Sequence, residues 1–324
     1  MKKYIGIDLG GTNLRAALVD VESGRVLFQK RTPTLAREGP DAVMGRMAEL
    51  IEDVIQEADL EKADVGGVGI GAPGVLDMEK GVTIFLVNLP GTWPNVPLSA
   101  TIERLTGLQT WLINDVRAIT YGEFRFGAGS GVDTVAVFAV GTGIGGGLVV
   151  DGRLTLGIGG SAGELGHITI DFNGPRCGCG NNGCLEAFAS GPAIAAMGMK
   201  AVAQGRTTSL GPLCEYDLNR ITPELIARAA EEGDEVAKEI YELAGFYIGI
   251  AAGSVCAAVG PRRIIIGGGV SQAGDLLLEP IRRTLKERVV VMPIDKVDVV
   301  LSELGDNAGV IGSACWAALQ AGEK

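Results

Sequence analysis

A repeat constrains this chain more than any other feature. Ile5, Ile7 and Leu9 form an alternating apolar segment, the glycine-rich turn Gly10-Gly11-Thr12-Asn13 follows, and residues 14–19 resume as a second apolar segment. Residues 135–140, 141–147 and 148–150 reproduce the order of strand, Gly/Thr turn and strand. Such a hairpin cannot bury its apolar face alone, so its duplication predicts two related α/β lobes with a site between them.

The stretches around the two hairpins fill in those lobes. Met44, Met47, Leu50, Ile51, Val54 and Ile55 recur at helical spacing between Asp41 and Ala58, and strands are expected at residues 65–70, 111–113 and 264–266. Thr222-Pro223-Glu224 reads as an N-cap, a first-turn proline and a first-turn acid, and Asp234 opens a long helix. Residues 243–260 carry no charge, yet their Ala, Gly, Ser and Cys content and the preceding charged stretch fit a close-packed core helix better than a membrane span. A helix over residues 307–319 is expected to pack back on the first lobe. The expected division is residues 1–118 rejoined by 303–324, against 119–302 with a small loop at 164–186.

Charge narrows the function. Lys and Arg number 28 against 39 Asp and Glu, a formal net charge of −11, and no basic block interrupts it. Nucleic acid and anionic membrane are therefore disfavoured partners. The opening Met1-Lys2-Lys3-Tyr4 runs directly into a strand without the apolar core of a signal peptide, which predicts a cytoplasmic protein.

Three glycine turns, at Gly10-Gly11-Thr12, residues 141–147 and Gly267-Gly268-Gly269, each end an apolar strand. Amides unobstructed by a Cβ can surround a polyphosphate there, with Thr12 and Thr142 adding hydroxyls and Mg²⁺ the positive charge the chain lacks. Any one turn alone would be an ordinary hairpin; three together favour a site for a polyphosphate. Gly141, Gly143 and Gly146 match G-x-G-x-x-G, but a strand follows instead of the helix a dinucleotide fold needs, and no Gly-Lys-Ser or Gly-Lys-Thr is present.

The sole histidine, His167, precedes Cys177, Cys179 and Cys184 in the spacing H-x9-C-x-C-x4-C. This is a Cys₃His set for tetrahedral Zn²⁺, and four protein ligands leave no position for a reactive water, so the metal is structural. Cys214, Cys256 and Cys315 stand alone and read as small buried residues.

Asp8-Leu9-Gly10-Gly11-Thr12, Ala72-Pro73-Gly74, Asn88-Leu89-Pro90-Gly91, Asn114-Asp115, residues 141–147, Glu164-Leu165-Gly166-His167 and the CGCGNNGCLE run from Cys177 to Glu186 together resemble the ROK family of sugar kinases, bacterial ROK glucokinases in particular. The resemblance runs nearly end to end. It implies a two-lobed actin-like (ribonuclease H-like) ATPase fold, Mg-ATP as donor and a hexose as acceptor. Glucose is expected, with N-acetylmannosamine, N-acetylglucosamine or another hexose as alternatives, a sugar-sensing regulator without catalysis less so, and a homo-oligomer, a dimer by preference. Thr92 departs from the family pattern by separating Gly91 from Trp93.

Roles follow from the chemistry. A sugar hydroxyl must lose a proton as phosphoryl transfer proceeds, and Asp115, just past a strand end beside Asn114, is the expected general base, or else an N-cap of the following helix. Asp8 suits Mg²⁺, or else caps its turn. The resemblance makes Asn88, Asn114, Glu164, His167 and Glu186 contacts to sugar hydroxyls.

Overall fold

The computed structural model describes residues 3–86 and 89–323 and divides into two compact units. The first comprises Met1–Gly131, Arg153–Ala162 and Glu303–Lys324, the second Val132–Gly152 and Gly163–Ser302. The first unit thus extends past residue 118 and takes in 153–162. Stopping at 118 would have cut the helix Asp115–Phe126, which packs on the C-terminal helix Ala308–Gln320.

The first unit is built on strands β1 (Lys3–Leu9), β2 (Asn13–Asp20), β3 (Arg25–Pro33), β4 (Val65–Ala72) and β7 (Thr110–Asn114) in the order β3-β2-β1-β4-β7. β1, β2 and β3 pair antiparallel, while β4 runs parallel to both β1 and β7. Alternation sorts the side chains: Ile5, Ile7 and Leu9 join Met47, Ile51, Val54 and Ile102 of the helices Pro40–Glu57 and Leu98–Thr106, whereas Tyr4, Ala17 and Val19 face Tyr121, Val310 and Ala314. Gly6 and Gly69 are register partners beneath the C-terminal helix. A Cβ at either would overlap the carbonyl oxygen of Val310 or Ser313, so the pair admits the helix backbone onto the sheet. A small hairpin of β5 (Val75–Asp77) and β6 (Val82–Phe85) follows β4, and β10 (Arg153–Leu154) opens the inserted segment.

In the second unit β8 (Val135–Val140) and β9 (Ile144–Val150) form the repeated antiparallel hairpin, and β11 (Arg263–Gly267) and β12 (Asp298–Leu301) add parallel strands in the order β9-β8-β11-β12. The turn is shorter than expected. Gly145, Gly146 and Gly147 lie in β9 opposite Ala139, Phe138 and Val137, leaving residues 141–143 as the turn. Glycine content had disguised a strand as loop.

Helix signals read locally are realised. Thr222 accepts Leu225 N–H at 3.2 Å ahead of Pro223–Glu231, and Asp234 accepts Ala237 N–H at 2.9 Å ahead of Glu235–Val259. The latter helix is long and apolar enough to cross a membrane by composition, but Ala244, Ile248, Ala251, Ala252 and Val255 are buried in the core of this unit against Asp275–Arg288. Cys214, Cys256 and Cys315 are buried, and burial pushes the Cys256 and Cys315 thiols up to about 11 and about 12.

Candidate active site

In the first unit, Asp8 and Arg15 face each other across β1 and β2, with Arg15 Nη2 3.0 Å from Asp8 Oδ2. The other end of the guanidinium donates to Asp306 O at 2.6 Å. Burial pushes the Asp8 carboxyl above its ordinary value, with Arg15 acting against that and Asp306 adding to it. Arg15 and Asp306 escaped the sequence reading; their signal is Arg15's place opposite Asp8 in the hairpin. The turn beyond is fixed by Gly10 N–H to Asn13 O at 2.9 Å and Thr34 Oγ to Gly10 O at 2.6 Å, with Gly11 and Thr12 exposed.

The end of β7 delivers Asn114 and Asp115. Asn114, not Asp115, is the N-cap: its Oδ1 accepts from Val116 N at 3.1 Å, Arg117 N at 3.2 Å and Arg117 Nη1 at 3.2 Å, while Nδ2 donates to Gly74 O at 3.1 Å. Nδ2 carries a second hydrogen beyond the one it gives Gly74 O. Asp115 occupies the first helical position, half-buried, with Oδ1 accepting Val116 N–H at 2.8 Å. Asn88 lies outside the described residues. Trp93 is buried in the core of the first unit, and both Thr92 and Trp93 take left-handed φ, 54° and 46°.

The second unit gathers two of the glycine turns. A cavity of about 500 Å³ joins Gly141-Thr142 and Gly269-Val270 with Pro192, Ala195, Ile221 and the Thr222-Pro223-Glu224 helix start. Gly191 N–H donates to Gly141 O at 2.8 Å, seating the turn on the first residue of the helix Gly191–Ala203. The apolar walls Pro192, Ala195, Ile221 and Val270 were not foreseen. Gly267 is buried at the end of β11, and Gly268 and Gly269 are exposed.

His167, Cys177, Cys179 and Cys184 bring their ligand atoms within 4.8 Å of one another. Cys177 Sγ is 3.7 Å from His167 Nδ1, and Cys179 Sγ is 3.7 Å from Cys184 Sγ. Tetrahedral Zn²⁺ with bonds of about 2.3 Å to sulfur requires edges of about 3.8 Å, so the residues fit the ion. Nδ1 faces the thiols, so with a metal held there the ring proton would sit on Nε2. The loop is pre-shaped by backbone bonds, Cys177 N–H to Asn181 O at 2.8 Å and Gly183 N–H to Pro175 O at 2.8 Å. Gly183 has φ 71°, and a Cβ there would overlap Asp171 O. Glu164 is exposed, whereas Glu186 is half-buried and accepts Ile144 N–H through Oε2 at 2.9 Å.

Known proteins resemble this chain over nearly its whole length. The glucokinase of Thermotoga maritima is 37% identical over 312 residues, 96% of each chain. The crystal structure of a ROK family glucokinase from Streptomyces griseus in complex with glucose and AMPPNP superposes with a TM-score of 0.82 at 32% identity, covering 98% of this chain and 99% of that one. A xylose repressor of Caldicellulosiruptor bescii is 32% identical over 308 residues, 95% of this chain but 76% of that protein. The ROK family pattern matches residues 4–320, and the chain belongs to the ROK family.

Proposed function

We propose that the chain is a glucokinase, transferring the γ-phosphoryl group of ATP to the 6-hydroxyl of glucose. The observation that carries the donor is the cavity beside Gly141-Thr142 and Gly269: its apolar walls suit the flat face of a base, and the two turns offer backbone N–H groups to phosphate. A donor of phosphate units alone would have no use for those walls. Glucose as acceptor is supported by the similarity to glucokinases over nearly the whole chain.

In this reading the sugar's 6-oxygen attacks the γ-phosphorus, its proton passes to Asp115, and the bond to the bridging oxygen breaks to release ADP. Asn114 contributes its remaining amide hydrogen to a sugar hydroxyl; Glu164 and Glu186 accept from hydroxyls, and Asn88 is assigned to the same group. His167 donates through Nε2 because Nδ1 is turned to the thiols. Gly10, Gly11 and Thr12, with Gly141, Thr142, Gly143 and Gly267 to Gly269, are assigned to the nucleotide. Asp8 would hold Mg²⁺ directly or through water, and the ion, when bound, neutralises charge on the transferring phosphoryl group. Zn²⁺ would organise the loop that carries His167.

The test is ADP release with a hexose panel, using ATP and polyphosphate as donors. Glucose should exceed mannose by about tenfold in kcat/KM and N-acetylglucosamine by more, because a site bonded to the 2-hydroxyl leaves a polar group unpaired when that hydroxyl moves. An N-acetylhexosamine outrunning glucose would overturn the choice of sugar. Absence of any sugar-dependent ADP would overturn the kinase.

A further inference from the structure

Glu186 begins the short helix Glu186–Ala189, two residues after the last cysteine of the metal cluster. Its two oxygens point to different neighbours. Oε2 accepts Ile144 N–H at 2.9 Å, and Oε1 lies 3.6 Å from Cys177 Sγ. Ile144 is the first residue of β9, where the turn at 141–143 rejoins the sheet opposite Val140. The other side of that turn is seated by Gly191 N–H on Gly141 O, so the carboxylate holds the opposite end.

Gly143 makes the fit close. A Cβ there would overlap Glu186 Oε2, so the carboxylate lies directly against the turn and an added methyl group would displace it. All of these groups belong to the second unit.

Resting on the kinase reading above, we infer that Glu186 is a positioning residue for the phosphate turn as well as a sugar contact, joining metal loop, acceptor side and donor turn into one block. A carboxylate that served the sugar alone would leave nucleotide binding untouched when removed. One that only stabilised the fold would not distinguish alanine from glutamine by ligand. The hydrogen bond to Ile144 distinguishes them, because a glutamine amide oxygen still accepts it.

The experiment is calorimetric binding of magnesium AMPPNP without sugar, and of glucose without nucleotide, to the full chain and its E186A, E186Q and G143A variants, with zinc content measured on each. E186A should weaken AMPPNP binding about tenfold, the scale of one charge-assisted backbone bond, while E186Q stays within about threefold of the unsubstituted protein. Glucose binding should weaken in both. G143A should weaken glucose binding by displacing the carboxylate, although residue 143 lies in the donor turn, and should retain zinc. E186A binding AMPPNP normally while losing glucose would reduce Glu186 to a sugar contact and overturn the inference. E186Q as weak as E186A toward AMPPNP would also overturn it. An unsubstituted chain that binds neither ligand would instead refute the kinase reading beneath it.

Discussion

Asp115→Asn separates chemistry from folding because the position is so well defined. The substitution keeps the volume, keeps an oxygen to accept Val116 N–H, and leaves Asn114 as the cap of the helix Asp115–Phe126. What it removes is one negative charge in the first helical turn, where such a charge stabilises by about 0.3–1 kcal/mol. It also removes the ability to accept a proton, and loss of a general base costs about 10²- to 10⁴-fold in rate, or about 3–5 kcal/mol of barrier. The kinetic effect should therefore exceed the stability effect severalfold. The assay is kcat from ADP release at saturating glucose and ATP, with thermal unfolding and calorimetric glucose binding on the same preparation. The expected result is kcat down at least about 100-fold, a melting temperature lowered by a few degrees at most, and glucose affinity nearly retained. A kcat within about threefold of the unsubstituted enzyme would refute the assignment, and a fall in activity matched by an equal loss of glucose affinity would make Asp115 a binding residue instead.

Purified protein should carry about one zinc per chain, and Cys179→Ser, at an exposed ligand whose loss opens no core cavity, should lose the metal and weaken glucose binding about 10- to 100-fold; a zinc-free, fully active enzyme would contradict this. Ala195→Phe should fill the wall of the second unit's cavity and raise the KM for ATP about tenfold, leaving glucose binding in the absence of nucleotide unchanged by calorimetry. At Asp234, burial acts upward but is outweighed by hydrogen bonds from Ala237 N–H, Ser209 and Thr208, which hold the carboxyl at about 2 against an ordinary 3.8. The folded form is thus favoured above the ordinary value, and that contribution disappears as pH falls through about 2. The depression corresponds to at most about 2.5 kcal/mol, reduced to about 1 kcal/mol by partial exposure, so denaturant unfolding of Asp234→Ala should show that deficit at pH 7 and a narrowing gap between pH 4 and 2.

Several parts of the site are legible because their chemistry is local in the chain. H-x9-C-x-C-x4-C closes a ligand set within one loop, and Asn114-Asp115 sit where a strand gives way to a helix. The exchange of roles between them, cap for Asn114 and first helical position for Asp115, depended on the backbone angle at the junction, with Asn114 at φ −65° and ψ 142°. The cavity walls were not legible because Pro192, Ala195, Ile221 and Val270 come from separate segments whose apolar side chains look like core until packing leaves a space between them.

The sequence by itself determined the two hairpins, the caps at Thr222 and Asp234, the core helix Glu235–Val259 and the grouping of His167 with Cys177, Cys179 and Cys184, each encoded by neighbours within a few residues to about seventeen along the chain. Tertiary structure decided what depends on partners far away. β3 has side chains that are mostly exposed or half-buried and so shows no clean alternation, and β12 is a four-residue strand recognisable only by its pairing with β11. Only packing carried the first unit on to Gly131 and brought Arg153–Ala162 into it. Arg15 reaches Asp306 across 291 positions, and Glu186 reaches Ile144 across 42. Such contacts leave no periodic trace in either segment, because packing of the whole unit selects them after the local elements have formed.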